Sequence, residues 1–187
     1  MDGRGPHLVL VGLMGVGKTT VGRALARRLE RPFVDTDALV EAAAGLPVAR
    51  IFAEEGEAAF RARERDAVRD ACASPDPLVI ACGGGAMADP DSRRRARAAG
   101  MVVWLRAAPA VLGARVGDAR SRPLLAGSPA GSPVGSPGSS PAATLDRLAA
   151  LRDPAYAAVA DVEIPTDTRT VDEVVAAVLE ELSRWSE

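Results

Sequence analysis

The sequence predicts an α/β protein, a parallel sheet covered by helices on both faces. Three observations carry that expectation. Short apolar runs alternate along the chain with longer stretches of helical spacing. The runs are apolar throughout rather than at every second residue, as strands buried on both faces require. A glycine loop, Gly12-Leu-Met-Gly15-Val-Gly17-Lys18-Thr19, joins the first run to the first helix and fits G-x-x-x-x-G-K-S/T at every fixed position.

Taken in order, Leu8 to Val11 reads as a buried strand that enters the glycine loop, followed by a helix to about Leu29. Pro32 to Val34 is a second, short strand ending in Asp35-Thr36-Asp37. A helical stretch follows, breaks near Gly45 to Pro47, and continues through Ile51 and Phe52. Gly56 then precedes a charged helix from about Glu57 to Cys72. Leu78 to Ala81 is the third strand, closed by Gly83-Gly84-Gly85. A helix opens at Asp89-Pro90 and leads to a fourth strand, Met101 to Leu105. Val162 to Ile164 is a shorter fifth, and Val171, Val174, Val175, Val178, Leu179 and Leu182 mark a C-terminal helix.

One segment departs from this rhythm. From Gly127 to Pro141, 13 of 15 residues are Gly, Ser or Pro, arranged as four near-copies of one tetrapeptide. Prolines at that spacing exclude a helix and nothing there can bury a core, so the segment is expected to be a disordered, partly extended loop.

The 187 residues suffice for one domain, whose core must come from Ala, Val and Leu because aromatics make up only 3%. A net charge of −2 gives no general attraction for nucleic acid, and the Arg93 to Arg97 cluster reads as a solvated helix face. Cys72 and Cys82 suggest no disulfide framework, and Cys82 reads as a small buried hydrophobe. The first strand begins too early for a signal peptide and no apolar run is long enough for a bilayer, so a cytoplasmic protein is expected; with no apolar surface evident for an obligate dimer, a monomer is the expected form. His7 is the only histidine, which excludes histidine-based metal or acid–base clusters.

Of 23 basic residues, only Lys18 is a lysine. A compact ammonium fits among backbone N–H groups around a phosphate, where a planar guanidinium does not. The glycine loop is therefore expected to hold nucleotide phosphates, with Lys18 reaching the β- and γ-phosphates and the Thr19 hydroxyl on Mg2+. Asp35 and Asp37 lie at the carboxyl end of the second strand, two residues apart on what reads as extended chain. They could hold Mg2+ and orient an acceptor hydroxyl, or cap the next helix. Gly83, Gly84 and Gly85 permit close backbone approach to a substrate or form a plain loop. Arg61, Arg122 and Arg152 each read, alone, as surface arginines. Arg122, at the mouth of the Gly/Ser/Pro loop, also suits a lid that closes over phosphates.

As an ordered set the motifs resemble the shikimate kinase family nearly end to end. The pieces are Gly-Leu-Met-Gly-Val-Gly-Lys-Thr-Thr, Phe-Val-Asp-Thr-Asp, Phe-Arg-Ala-Arg-Glu, Gly-Gly-Gly-Ala, Arg-Pro-Leu-Leu-Ala and Arg-Asp-Pro-Ala-Tyr. The resemblance implies a P-loop kinase fold of nucleoside-monophosphate-kinase type, with a five-stranded parallel sheet and a mobile lid at about 123–143. It implies phosphorylation of the 3-hydroxyl of shikimate by ATP with Mg2+, and no nucleic-acid or membrane partner. By the same resemblance Gly15, Val16, Gly17, Lys18, Thr19 and Thr20 would hold the ATP phosphates, and Lys18, Asp35 and Arg122 would be catalytic, with Thr19 and Asp35 at the metal. Asp37, Gly84, Arg61 and Arg152 would hold shikimate, the two arginines on its carboxylate. Arg115 and Arg169 would lie on the adenine side. The chain departs from the family in its longer lid, in Cys82 before the triple glycine, and in Val171. A gluconate-type kinase would share the glycine loop without the rest. A guanine-reading switch would need an asparagine, and the chain has none.

Overall fold

The computed structural model describes residues 5–116 and 141–185. The strands are β1 (His7–Val11), β2 (Phe33–Asp35), β3 (Val79–Ala81), β4 (Gly100–Arg106) and β5 (Val162–Pro165). The helices are α1 (Lys18–Leu29), α2 (Thr36–Ala44), α3 (Val48–Glu54), α4 (Gly56–Cys72), α5 (Pro90–Ala99), α6 (Pro109–Val116), α7 (Pro141–Val159) and α8 (Val171–Trp185). The five strands pair in the order β2-β3-β1-β4-β5, every pair parallel.

This order dictates where the helices lie. A right-handed crossover from β1 outward to β2 puts α1 on one face. The crossovers that run back, from β2 to β3 and on to β4 and β5, put α4, α5 and α7 on the other. The packing agrees, since α1 lies against α8 while α5 lies against α4 and α7. Every residue of β1 is buried and only Arg106 of β4 is exposed, which explains their unbroken apolar character. The edge strand β2 is half-buried.

The expected strands and most helix boundaries appear within a residue or two. His7 belongs to β1 rather than preceding it, and its Nδ1 accepts a hydrogen bond from the Leu78 N–H at 3.0 Å. Two helices, α6 and α7, were not anticipated. Pro141, the last proline of the repeat, opens α7 because a helix tolerates proline at its first position. The span 141–143, assigned from sequence to the lid, is therefore helical, while residues 117–140 lie outside the described residues. Leu145, Leu148, Arg152, Tyr156 and Val159 follow helical spacing and are all buried. Pro154 lies inside α7, but it and Ala150, whose carbonyl it leaves without a helical donor, are exposed to water.

A second, smaller core of Val40, Ile51, Phe60 and Ala67 binds α2, α3 and α4 together. The rings of Phe52 and Phe60 meet in it with centroids 4.5 Å apart. This subcluster forms one wall of the site.

Candidate active site

Register brings the site residues to one edge. Leu10 pairs with Ala81 and Ala81 with Asp35, so the loops after β1, β2 and β3 leave the sheet at one level. Ligands collect at such carboxyl-end crevices where the strand order reverses. The crevice is a cleft of about 600 Å3.

Its nucleotide side is made of backbone. Gly12 has φ 137 and Gly17 φ 103, and a Cβ on Gly12 would run into the Leu105 carbonyl, so only glycine serves there. The turn aims the start of α1 into the cleft. Lys18 Nζ donates to the carbonyls of Gly12 at 2.7 Å and Leu13 at 3.0 Å, which folds the ammonium back against the loop. Thr19 Oγ1 donates to Asp35 Oδ2 at 2.8 Å, tying the loop to the end of β2.

The opposite side is made of side chains. Asp35 caps α2 by accepting from the Asp37 N–H at 3.1 Å, which starts the helix at Thr36. The two aspartates are thus not a pair on extended chain. The cap falls on Asp35 and Asp37 sits in the first turn, yet both still line the cleft. Arg61 forms an ion pair with Glu64 at 2.6 Å and another with Glu57 at 3.3 Å. Glu64 is 3% exposed, and burial pushes its carboxyl above the usual range against the pull of Arg61. Arg152 is 8% exposed and its Nη1 has no hydrogen-bond partner. Burial, with the neighbouring Arg61 cation, holds its guanidinium below the ordinary range. The two guanidinium groups share the deeply buried Glu64 carboxylate, and Arg152 keeps a buried cationic donor without an acceptor. Such a pocket favours an anion.

A family model for shikimate kinase matches residues 14–183. The chain belongs to the shikimate kinase family. A shikimate kinase of Symbiobacterium thermophilum is 49% identical over 183 residues, covering 97% of this chain and 98% of the relative. A solved shikimate kinase from Acinetobacter baumannii, in complex with shikimate, is 33% identical with a TM-score of 0.86, covering 97% of this chain and 95% of the other. A gluconokinase from Sinorhizobium meliloti superposes with a TM-score of 0.59 at 22% identity and shares the fold alone.

For a shikimate kinase the placement of the expected residues is uneven. Gly15, Gly17, Lys18, Thr19, Thr20, Asp35, Asp37, Arg61, Gly84, Gly85 and Arg152 all line the cleft. Val16 is buried beneath the loop and can offer only its backbone. Gly83 braces the site from behind, its N–H donating to Thr36 Oγ1 at 2.8 Å and its carbonyl accepting from the Ala86 N–H at 3.0 Å. A Cβ at Gly83 would displace the Asp37 carboxylate and one at Gly85 the Arg61 guanidinium, so a side chain there would disturb the cleft. Arg115 lies outside the cleft and donates to the Thr166 hydroxyl at 3.1 Å and carbonyl at 2.5 Å. Thr166 Oγ1 reaches the Val16 carbonyl at 3.5 Å, so Arg115 lies behind the glycine loop. Arg169 is exposed between β5 and α8. Arg122 and most of the expected lid lie outside the described residues.

Sequence reasoning missed three contributors. Thr36, fully buried, joins the Asp-Thr-Asp segment to the triple glycine. Glu64 stands three residues after Arg61, on the same helix face, and a buried partner for a cleft arginine is the signal that spacing offered. Tyr156 stands four residues after Arg152 and donates its hydroxyl to the Gly84 carbonyl. Cys82 behaves as expected: it is buried, both cysteines are free, and burial pushes its thiol well up.

Proposed function

We propose that this chain transfers the γ-phosphoryl group of ATP to the 3-hydroxyl of shikimate, giving ADP and shikimate 3-phosphate. The observation that carries the proposal is the buried, unpartnered Nη1 of Arg152 beside Arg61, in the same cleft as the phosphate loop. A small acceptor bearing a carboxylate satisfies that donor. Its hydroxyls fall toward Asp37 and the Gly84–Gly85 backbone, and the face of its ring has the wall of Val48, Phe52 and Phe60.

Phosphoryl transfer needs alignment and charge neutralisation more than covalent help from the protein. The acceptor oxygen forms the new bond to the γ-phosphorus as the bond to the ADP oxygen breaks. Lys18 neutralises phosphate charge, and the N–H groups of residues 15–20 cradle the phosphates at the N-terminus of α1. Asp35 steers the hydroxyl or accepts its proton. The Thr19 hydroxyl beside an Asp35 carboxylate oxygen is a hard donor set suited to Mg2+. No group of three acidic, His or Cys side chains that could hold a metal occurs among the described residues, as fits an ion that draws most of its ligands from phosphate and water. When bound, Mg2+ supplies further neutralisation of the phosphates.

The whole chain is read as one domain, with Arg122 reaching the phosphates from a lid at about 123–140 and Arg115 and Arg169 on the adenine side. A monomer acting in the cytoplasm is the simplest form. In support, the large exposed hydrophobics among the described residues, Leu39, Leu151 and Val171, come from three separate elements, and no described helix is long and apolar enough to cross a membrane. The test is ADP release coupled to NADH oxidation with Mg·ATP and either shikimate or gluconate. Release with shikimate alone is expected. Release with gluconate, or none with shikimate at any concentration, would overturn the proposal.

A further inference from the structure

We propose that Tyr156 is a positioning residue for the acceptor, its single hydroxyl fixing the Gly83–Gly85 loop against which the carboxylate-binding Arg152 packs. This inference rests on the reading that the cleft takes a carboxylate-bearing acceptor. Tyr156 is 1% exposed, and its hydroxyl donates to the Gly84 carbonyl. Arg152, one helical turn earlier on α7, converges on the same glycine.

The consequence follows from the shape of a peptide. In a trans peptide the C=O and the following N–H point in opposite directions. Holding the Gly84 carbonyl against Tyr156 therefore turns the Gly85 N–H away from Tyr156. On the other side of the triplet, Thr36 Oγ1 accepts the Gly83 N–H and the Ala86 N–H occupies the Gly83 carbonyl. The loop is thus held at both ends by buried hydroxyls. Among the described residues, the N–H groups of Gly84 and Gly85 have no hydrogen-bond acceptor, and both glycines line the cleft.

Arg152 packs against the same Gly84. Its guanidinium lies so close to the loop that a Cβ on Gly84 would come within 3.3 Å of Nη1. Buried against Gly84, the unpartnered Nη1 has little room to turn elsewhere. Carboxylate capture and hydroxyl capture are then kept in register by one hydroxyl.

Tyr156→Phe removes that oxygen alone. With wild-type enzyme active on shikimate, the variant is expected to raise the shikimate KM about tenfold, with kcat and the ATP KM within about twofold. Preference for shikimate over its methyl ester, which lacks the negative charge, should fall by a similar factor. In an Arg152→Lys background the same change should have little further effect. A hydroxyl with only a structural role would lower the thermal midpoint on its loss and leave the acid-to-ester preference at its wild-type value, and that outcome overturns the proposal. Should Tyr156→Phe fail to fold, the chain's one tyrosine offers a second route, because 3-fluorotyrosine labels that site alone. Its single 19F resonance should shift on adding shikimate without nucleotide and stay still when Arg152 is Lys. A resonance indifferent to shikimate in the wild-type background overturns the proposal equally. Wild-type enzyme that releases no ADP with shikimate would instead overturn the functional reading beneath it.

Discussion

The two sides of the cleft are built in opposite ways. The phosphate side is one continuous turn between β1 and α1, made of backbone and fixed by glycines at positive φ. The acceptor side is drawn from α2, α4, the loop after β3 and α7, and its polar groups are buried side chains that depend on one another. A backbone cradle cannot lose its donors by mutation, but it tolerates little change in the group threaded through it. A side-chain network can be retuned residue by residue, and each change leaves another buried charge exposed to the cost of desolvation.

The largest effect that could break this contrast belongs to the phosphate side. Lys18→Arg keeps the charge and replaces a point cation that now fits between the Gly12 and Leu13 carbonyls. Turnover is expected to fall by about a thousandfold in a coupled ADP assay. Near-normal turnover would show that the turn accepts a planar fork and is no tight cradle.

Next comes the acceptor network. Glu64→Gln removes the buried carboxylate that pairs with Arg61. The shikimate KM should rise about tenfold while the ATP KM stays put, since charge-assisted bonds of this kind are worth one to two powers of ten. A parallel rise in both constants would mean the two sides are not separable.

Much of this was legible before any coordinates, though unequally. Val9 and Val102 sit in strands whose unbroken apolar runs identify a doubly covered sheet, and the glycine loop carries its meaning within eight consecutive residues. Arg152 was legible only as part of a family pattern. Its helix begins at Pro141, the tail of a repeat whose prolines argued against any helix, so local propensity pointed the wrong way at the boundary. Asp35 and Asp37 were placed correctly at the sheet edge but in the wrong conformation, because the capping bond starts α2 one residue after Asp35. Thr36 and Tyr156 owe their roles to burial and to partners 47 and 72 residues away, which no spacing rule reports, whereas Glu64 shares a helix face with Arg61 and only its burial was hidden.

Smaller effects sharpen the comparison away from the chemistry. Replacing residues 127–140 with a short loop, while sparing Pro141 as the start of α7, should leave turnover within about tenfold, because loop-closure entropy grows only logarithmically with length. Complete loss of turnover would assign the repeat an essential part on the phosphate side. Smallest is a pH effect remote from both sides. Burial lowers the His7 pKa, with backbone carbonyls of Cys72 and Ser74 pulling the other way, and Nδ1 must stay unprotonated to accept from Leu78. The unfolded chain then binds the proton more tightly, so stability is complete above the ordinary value of 6.5 and declines as pH falls below it. Urea midpoints from pH 7.5 down to 5.5 should fall by more in the wild type than in His7→Asn, which keeps an acceptor that does not titrate. Equal slopes would remove His7 from the account of acid sensitivity.

The central claim, that a buried, unsatisfied guanidinium is kept for an acceptor carboxylate, is tested most directly by one variant measured two ways. Arg152→Met retains most of the side-chain bulk and removes the orphaned charge. Its urea-unfolding free energy should equal or exceed that of the wild type by about 1–2 kcal/mol, since a buried cation with an empty donor is replaced by an apolar group. Calorimetric titration of the same protein should show shikimate binding weakened about a hundredfold or more, with Mg·ATP binding unchanged. A variant that is several kcal/mol less stable, or that still binds shikimate as the wild type does, would contradict the claim.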